Sequence, residues 1–193
     1  MEARPDGKRT CLYSAAQLDA VIESMAMQAA GYLVGKQRVM IVGILRRGAP
    51  LADMLYQKLL TNFKLDNLLR MNLQIKRYSD DLKLLHPETK LTENPEHVAL
   101  DLNGITVVVV DDVMYRGHSM LRAIEYLAGK NADEIRTVVL VDRGASKLPV
   151  RCDIAGVRLD VAPADIIECN VPPYETAFKI EVLQPNYRGP HDI

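Results

Sequence analysis

Two adjacent carboxylates, Asp111 and Asp112, stand at the end of an apolar run and directly before a glycine-containing loop. The run, Ile105 to Val110, has the β-branched composition of a strand buried on both faces. The loop holds Gly117 and Ser119 and leads into a helical pattern. In open α/β sheets, ligands bind beyond the carboxyl ends of the strands. The sequence therefore predicts a binding site centred on the two aspartates.

The loop after the two aspartates has the composition of an anion site. Gly117 permits a backbone with positive φ and close approach to a ligand, and Ser119 offers a hydroxyl that we expect to cap the next helix. The start of that helix adds unpaired N–H groups and the positive end of its dipole, which suit a phosphate. Carboxylates suit sugar hydroxyls or the water around Mg²⁺. The pattern favours a sugar-phosphate site, although paired aspartates at a strand end also occur as helix caps or solvated charges.

Helical and strand patterns alternate on both sides of this site. Apolar residues recur at helical spacing in three segments, which begin near Ser14, Pro50 and Met120. Buried or alternating runs predict four strands, at Val39 to Ile44, Leu69 to Ile75, Ile105 to Val110 and Val138 to Val141. This alternation predicts an α/β fold, a parallel twisted sheet with helices on both faces.

Three segments lack this regularity. Residues 1–10 are polar, and we expect a loose arm there. Residues 78–103 are polar and broken by prolines, which is typical of a lid, a binding loop or a flexible segment. After Arg143 further prolines interrupt the chain before a terminal strand pattern at Ala177 to Val182. We expect a small C-terminal hood lobe in this last segment.

A single domain is expected over residues 1–193, with a core of about residues 14–143 and a hood of about residues 144–183. Its 24 Lys and Arg balance 25 Asp and Glu, so no overall basic field indicates a nucleic-acid partner. The three cysteines are irregularly spaced and predict neither a zinc site nor a disulfide framework. The sequence shows no signal-peptide pattern, and a cytoplasmic location is the expectation.

The stretch Val107 to Ser119 resembles the phosphoribosyl-pyrophosphate signature of type I phosphoribosyltransferases. That signature has an apolar run, two acidic residues, two apolar residues and a short loop rich in Thr and Gly. This chain departs from it at Arg116, where Thr is common, and at Ser119, which keeps the hydroxyl of another usual Thr.

Three further segments resemble that family in the same order along the chain. Val42 to Ala52 resembles the pyrophosphate loop, Tyr78 to Leu82 the opening of the mobile loop, and Leu140 to Arg151 the base-binding hood region. At Ser79 the family form has Arg, a further departure. The order of motifs is most similar to the PyrR family, pyrimidine-operon attenuation proteins that also act as uracil phosphoribosyltransferases.

The resemblance implies an enzyme that transfers ribose 5-phosphate from phosphoribosyl pyrophosphate to a nucleobase in the presence of Mg²⁺. It implies that Asp111 and Asp112 are catalytic, hold the ribose hydroxyls and meet the metal only through water or substrate. The other implied sites are the 5-phosphate loop (Met114, Tyr115, Arg116, Gly117, His118, Ser119), the pyrophosphate loop (Leu45, Arg46, Arg47, Gly48), the mobile loop (Tyr78, Ser79, Asp80, Asp81) and the base region (Val141, Asp142, Arg143).

Several functional hypotheses stay open at this point. Uracil is the first base to test, and a purine such as hypoxanthine or guanine is the rival within the same chemistry. A second class is a nucleotide-sensing, RNA-binding regulator of transcription attenuation, for which the charge balance gives weak support. A third is a relative with impaired catalysis that binds nucleotides, which Ser79 and Arg116 suggest. The resemblance also implies a homodimer.

Overall fold

The computed structural model describes residues 6–76, 90–92 and 99–186. Helices and strands alternate over most of this length. In chain order they are β1 (Gly7–Tyr13), α1 (Ala15–Leu33), β2 (Val39–Ile44), α2 (Gly48–Asn62), β3 (Leu68–Lys76), β4 (Lys90–Thr92), β5 (Thr106–Met114), α3 (His118–Gly129), β6 (Glu134–Asp142), β7 (Ile154–Arg158), β8 (Ile166–Asn170) and β9 (Lys179–Pro185).

The main sheet has the spatial order β4-β3-β2-β5-β6-β7. Strands β3, β2, β5, β6 and β7 run parallel to their neighbours, whereas the short edge strand β4 pairs antiparallel with β3. The predicted parallel sheet is thereby confirmed. β4 also shows that the polar segment after β3 contains a strand, which sequence periodicity does not reveal over three residues.

Helices cover both faces of this sheet. Val108 and Val110 of β5 pack in one apolar cluster with residues of α1 and α2. Val107 and Val109 lie in a second cluster with residues of α3. This distribution follows from the period of two in a strand, which sends successive side chains to opposite faces. A nearly continuous β-branched run is therefore what β5 requires.

The sheet reverses its winding between β2 and β5. From β2 the chain moves outward to β3 and β4, and it then returns to the other side of β2 to form β5. At such a reversal, the loops that follow the two central strands diverge and leave a crevice at their carboxyl ends. The fold therefore places the loops after β2 and β5 side by side.

A small antiparallel sheet joins the two ends of the described chain, in the order β1-β9-β8. β1 pairs with β9 from Gly7 opposite Pro185 to Tyr13 opposite Ile180. Arg9 of β1 also donates two hydrogen bonds to the Glu168 carboxylate of β8, at 2.8 and 3.0 Å. The expectation of a loose arm is wrong for residues 7–10, because their partners lie far along the chain and leave no local signal.

The segment after Arg143 contributes to both sheets. β7 is the outer parallel strand of the main sheet beside β6, whereas β8 and β9 belong to the small sheet. Within the described part of the chain, no helix is both long and apolar enough to cross a membrane.

Candidate active site at the carboxyl ends of β2 and β5

Asp111 and Asp112 lie on a part of β5 that extends past its neighbour β2. The pairing of β5 with β2 ends at Val110, opposite Gly43. The pairing with β6 continues to Met114, opposite Asp142. The strand therefore does not end at the two aspartates as predicted, because two further apolar residues keep it paired on one side. The aspartates are nevertheless at the crevice beyond the end of β2.

The two carboxylates have different surroundings. Asp111 is 7% exposed, and its Oδ1 accepts a hydrogen bond from the backbone N–H of Asp112 at 2.9 Å. Asp112 is half-buried. The structure thus offers one carboxylate that is fixed in the protein and one that a ligand can reach more easily.

The 114–119 loop turns from β5 into α3. Gly117 has φ of +84° and is the N-cap of α3, which begins at His118. Ser119 therefore lies inside the first turn, where it is buried, and does not cap the helix as predicted. The cap needs a left-handed backbone, which glycine adopts at little cost. The first N–H groups of α3 have no partner within the helix and remain suited to an anion.

Gly117 is also a point of close packing. A Cβ added at this position would lie 2.9 Å from the Ser146 hydroxyl oxygen. The Ser146 hydroxyl itself donates to the carbonyl groups of Leu148 and Val150, at 3.0 and 3.3 Å. Residues 146–150, which follow β6, therefore pack closely against the loop at Gly117.

Tyr115 contacts two guanidinium groups. The guanidinium carbon of Arg143 is 4.5 Å from the centre of the Tyr115 ring, and that of Arg116 is 5.3 Å away. Arg143 is 9% exposed and donates to the carbonyl oxygens of Ala162 and Pro163 at 2.8 and 3.2 Å. Arg143 thereby connects the 114–119 loop to the segment before β8. Cation–π contacts of this kind hold an aromatic ring in a fixed orientation.

The 45–48 loop follows β2 and reaches the same crevice. The backbone N–H of Leu45 donates to the Leu73 carbonyl at 2.8 Å, and the peptide bond to Arg46 is cis. A Cβ added to Gly48 would lie 2.6 Å from the Val110 carbonyl oxygen and 3.1 Å from Asp111 Cα. The absence of a side chain at Gly48 therefore brings this loop into contact with the aspartate-bearing strand.

The two arginines of this loop contact a turn formed by residues 171–175. Arg47 donates from Nε and Nη2 to the Glu175 carboxylate at 2.5 to 3.2 Å. The guanidinium carbon of Arg46 lies 5.6 Å from the centre of the Tyr174 ring. The loop is therefore held from the sheet side by Gly48 and from the other side by this turn.

The charge of Arg47 is stabilised in place. Burial lowers the pKa of Arg47, but its hydrogen bonds to the Glu175 carboxylate and the nearby charge of Asp112 outweigh this effect, so the pKa is raised above its ordinary value. Arg47 thus remains a cation between the 171–175 turn and the two aspartates.

The predicted base region, Val141 to Arg143, lies at the end of β6. Val141 is fully buried. The Asp142 carboxylate accepts from the Gly144 N–H at 2.9 Å and lies 3.5 Å from the Cys152 sulfur. Burial first, and then the Asp142 charge, raise the pKa of Cys152 to about 11. The Asp142 carboxylate is therefore held by hydrogen bonds within the segment that follows β6.

Cys169 of β8 lies close to the aspartates. It is 4% exposed, and burial is the main reason why its pKa is raised well above the ordinary value. The negative charge of Asp112 raises this pKa further, while Arg47 lowers it. The thiol is accordingly neutral near pH 7 and packs as an apolar side chain.

No group of three or more His, Cys, Asp or Glu side chains with the spacing of a metal site occurs among the described residues. Mg²⁺ is commonly held by one or two carboxylates together with substrate phosphates and water. Asp111 and Asp112 would meet such an ion through bound water or through the substrate, which would supply most of the ligands.

A separate groove of about 590 Å³ lies between α1, α2 and Phe178. Its charged side chains already form ion pairs, Asp19 with Lys58 at 3.2 Å and Asp53 with Arg70 at 2.8 Å. None of the predicted site residues lines it. Size alone does not make it the better candidate, since its described charged side chains are already paired.

Most of the predicted site residues that the structure describes meet at the crevice. Those of the predicted mobile loop, Tyr78, Ser79, Asp80 and Asp81, lie outside the described residues. Sequence reasoning missed Tyr174 and Glu175. The adjacent proline pair indicates a fixed turn, but nothing in the spacing connects that turn to residues 128 positions earlier.

Comparison with known proteins agrees with this geometry. Residues 12–175 match the phosphoribosyl transferase domain family. The Bifunctional protein PyrR of Haemophilus ducreyi is 34% identical over 146 residues, covering 75% of this chain and 80% of that protein. The same protein of Pasteurella multocida is 30% identical over 151 residues, covering 76% and 82%.

Solved structures show the same fold. Hypoxanthine phosphoribosyltransferase from Trypanosoma cruzi, in complex with the product IMP, superposes with a TM-score of 0.72 at 14% identity, covering 95% of this chain and 94% of that one. Hypoxanthine phosphoribosyltransferase from Staphylococcus aureus gives 0.66 at 16% identity, covering 83% and 82%. The chain therefore belongs to the type I phosphoribosyltransferase family, and its relatives there include the PyrR proteins.

Proposed function

We propose that the protein transfers ribose 5-phosphate from phosphoribosyl pyrophosphate to uracil, with uridine monophosphate and pyrophosphate as products. The observation that carries the proposal is the contact of Gly48 with Val110 and Asp111. That contact places a loop with two arginines beside two carboxylates and a glycine-capped helix start. A substrate with a sugar diol, a phosphate and a pyrophosphate needs these three kinds of group within one site.

The two aspartates have the chemistry to bind the sugar. In this proposal, Asp112 and Asp111 accept hydrogen bonds from the ribose hydroxyls and stabilise the positive charge that develops at the anomeric carbon. The 5-phosphate lies against the first N–H groups of α3 and the backbone of residues 115–117. The two ends of the ribose phosphate are then held by adjacent parts of one strand and loop.

The leaving group is assigned to the 45–48 loop. Arg46, Arg47 and the backbone at Gly48 offset the charge that grows on pyrophosphate as its bond to the sugar breaks. Mg²⁺, when it accompanies the pyrophosphate, neutralises part of that charge, and Asp111 and Asp112 would meet it through water or the ribose hydroxyls. The protein residues supply positioning and electrostatic stabilisation.

Uracil is preferred over a purine because the chain is 30% and 34% identical to two PyrR proteins. Hypoxanthine is the second candidate, since solved hypoxanthine phosphoribosyltransferases share the fold at TM-scores of 0.66 and 0.72. The base is assigned to the space beside Val141 to Arg143. Arg143 would act there by holding the 162–163 backbone and Tyr115, since its guanidinium is already bonded to two carbonyl groups.

A regulatory role in RNA binding is the alternative from another class. The relatives named Bifunctional protein PyrR support a second role of this kind. The net charge of -1 opposes it for a single chain, although a homodimer would gather basic side chains from two copies. Binding that weakens steeply with added salt would support this role, and no binding at low salt would exclude it.

The test is product formation from labelled phosphoribosyl pyrophosphate and Mg²⁺ with uracil, hypoxanthine, guanine, xanthine and adenine in separate reactions. The proposal predicts labelled uridine monophosphate with uracil. Formation of a purine nucleotide would support phosphoribosyl transfer but show that the base is a purine and not uracil. No product with any base, together with calorimetric binding of phosphoribosyl pyrophosphate, would favour a nucleotide sensor.

A further inference from the structure

Glu175 is built into a fixed position that faces the 45–48 loop. Its side chain is 10% exposed. Its Oε2 accepts a hydrogen bond from the Val171 N–H at 2.9 Å, and its own N–H donates to the Val171 carbonyl at 3.3 Å. The carboxylate is therefore oriented by the backbone of its own turn before it contacts any other element.

The ion pair with Arg47 uses one edge of the guanidinium. Glu175 accepts from Nε at 3.1 and 3.2 Å and from Nη2 at 2.5 Å. A guanidinium carries five N–H donors in a rigid plane, and those on Nη1 take no part in this pair. Side-on pairing of this kind fixes the plane of the guanidinium and leaves donors for a second anion.

The position of Arg47 connects this pair to the aspartates. Arg47 directly precedes Gly48, which packs against Asp111. Its charge interacts with Asp112 as well as with Glu175. The neighbouring contact of Arg46 with Tyr174 ties the same loop to the same turn. An arginine on a loop otherwise loses side-chain freedom when it binds a phosphate, and a partner that has already ordered it removes that cost.

We propose that Glu175 is a positioning residue that holds Arg47 in the orientation needed for the pyrophosphate group of the substrate. The inference rests on the proposed function, since it assumes that the 45–48 loop meets pyrophosphate. The 171–175 turn would thereby take part in binding the leaving group, through its contact with the 45–48 loop.

The test compares Glu175→Gln with the wild type by two measurements. Steady-state kinetics are expected to show a KM for phosphoribosyl pyrophosphate that is raised about tenfold, with the KM for the base within about twofold of wild type. Calorimetric titration of magnesium pyrophosphate is expected to show a similar loss of affinity. In an Arg47→Met background, Glu175→Gln should add no further change, because Glu175 acts through Arg47.

Glu168→Gln is the matched control. Glu168 of β8 accepts two side-on hydrogen bonds from Arg9 of β1, within the small sheet, and contacts none of the candidate site residues through that pair. Its KM values should equal those of the wild type. Arg47→Lys keeps the charge but cannot form the side-on pair, so it should reproduce the raised KM even if Glu175→Gln folds poorly.

Three results would overturn the inference. A lower KM for phosphoribosyl pyrophosphate in Glu175→Gln would show that Glu175 competes with the substrate for Arg47. Equal shifts in Glu175→Gln and Glu168→Gln would show a general effect on stability, and so would additivity with Arg47→Met. Wild-type pyrophosphate affinity in Glu175→Gln would overturn the inference alone, whereas absence of turnover in the wild type would reject the proposed function.

Discussion

At the residue scale, the two aspartates differ in exposure: the Asp111 carboxylate is buried, whereas that of Asp112 is more accessible. Asp111 is fixed by the Asp112 N–H, and Asp112 is half-buried at the crevice. We expect Asp111→Asn or Asp112→Asn to lower kcat by about 10²–10³-fold, because in the proposed mechanism each removes a charge that stabilises the developing positive charge. Steady-state assays of both variants with uracil measure the effect.

The control for these variants is Asp66→Asn, an exposed aspartate before β3 at the opposite edge of the sheet. It should retain wild-type kinetics. Thermal melts of all three variants should agree with the wild type to within about 5 °C, because the substitutions preserve shape. Wild-type turnover in both Asp111→Asn and Asp112→Asn would place the catalytic site elsewhere.

A glycine decides how closely the loop after β2 approaches β5. Gly48→Ala would put a methyl group 2.6 Å from the Val110 carbonyl oxygen. We expect it to destabilise the protein by about 1–3 kcal/mol and to raise the KM for phosphoribosyl pyrophosphate, because the loop must move away from Asp111. Chemical denaturation and kinetics test both parts.

Gly31→Ala provides the contrast. Gly31 is in α1, is exposed, and has no atom within 4 Å of an added Cβ. Alanine there should stabilise the protein by about 0.5–1 kcal/mol through helix propensity and leave the kinetics unchanged. If Gly48→Ala had the same stability and kinetics as Gly31→Ala, the contact of the 45–48 loop with β5 would not contribute to function.

At the element scale, β8 packs beside the aspartates through the buried Cys169, and the reactivity of this thiol can report whether β8 stays packed there. Cys169 is buried and its pKa is raised, so the protein keeps it protonated at neutral and moderately alkaline pH. Near pH 8 its alkylation by iodoacetamide should be at least about a hundredfold slower than that of the exposed Cys11, because it requires opening of the small sheet.

Mass spectrometry of partially alkylated protein gives the two rates separately. In denaturant, Cys11 and Cys169 should be alkylated at similar rates. Equal rates in the native protein would mean that β8 does not stay packed beside the aspartates in solution.

The elements that sequence could predict are those with local signals. β2 was predicted at its observed bounds. α1 begins beside Ser14, as its helical spacing predicted, and Gln17 accepts a hydrogen bond from the Ser14 N–H there at 2.9 Å. The end of β5 was misplaced, because polar Asp111 and Asp112 resemble a strand end while pairing with β6 continues. Periodicity describes one strand at a time and contains no information about a neighbour.

The parts that were missed depend on contacts between distant residues. The pairing of β1 with β9 and the bond of Arg47 to Glu175 join positions that share no motif. The resemblance located the loops of the candidate site. The residues that orient those loops are distant in sequence and come close to them only in the folded protein. The contact of Tyr115 with Arg143 likewise joins two segments that the sequence does not connect.

At the scale of the whole molecule, both ends of the chain build the small sheet that borders the site. β1 completes the edge of β9, and the pair between Arg9 and Glu168 fastens β1 to β8. Deleting residues 1–10 should lower Tm by about 5 °C or more and promote aggregation through the exposed edge of β9. Calorimetry and light scattering measure these effects.

The comparison for the deletion is Lys8→Ala, an exposed position on the same strand. Its Tm should stay within about 1 °C of the wild type. A deletion variant as stable as Lys8→Ala would show that β1 contributes little to the small sheet.

The most direct test of the account is a crystal structure of the protein with phosphoribosyl pyrophosphate and Mg²⁺. It should show the ribose hydroxyls against Asp111 and Asp112, the 5-phosphate against the backbone of residues 115–119, and the pyrophosphate against residues 46–48. Density for the substrate in the groove between α1 and α2, with the crevice empty, would contradict it.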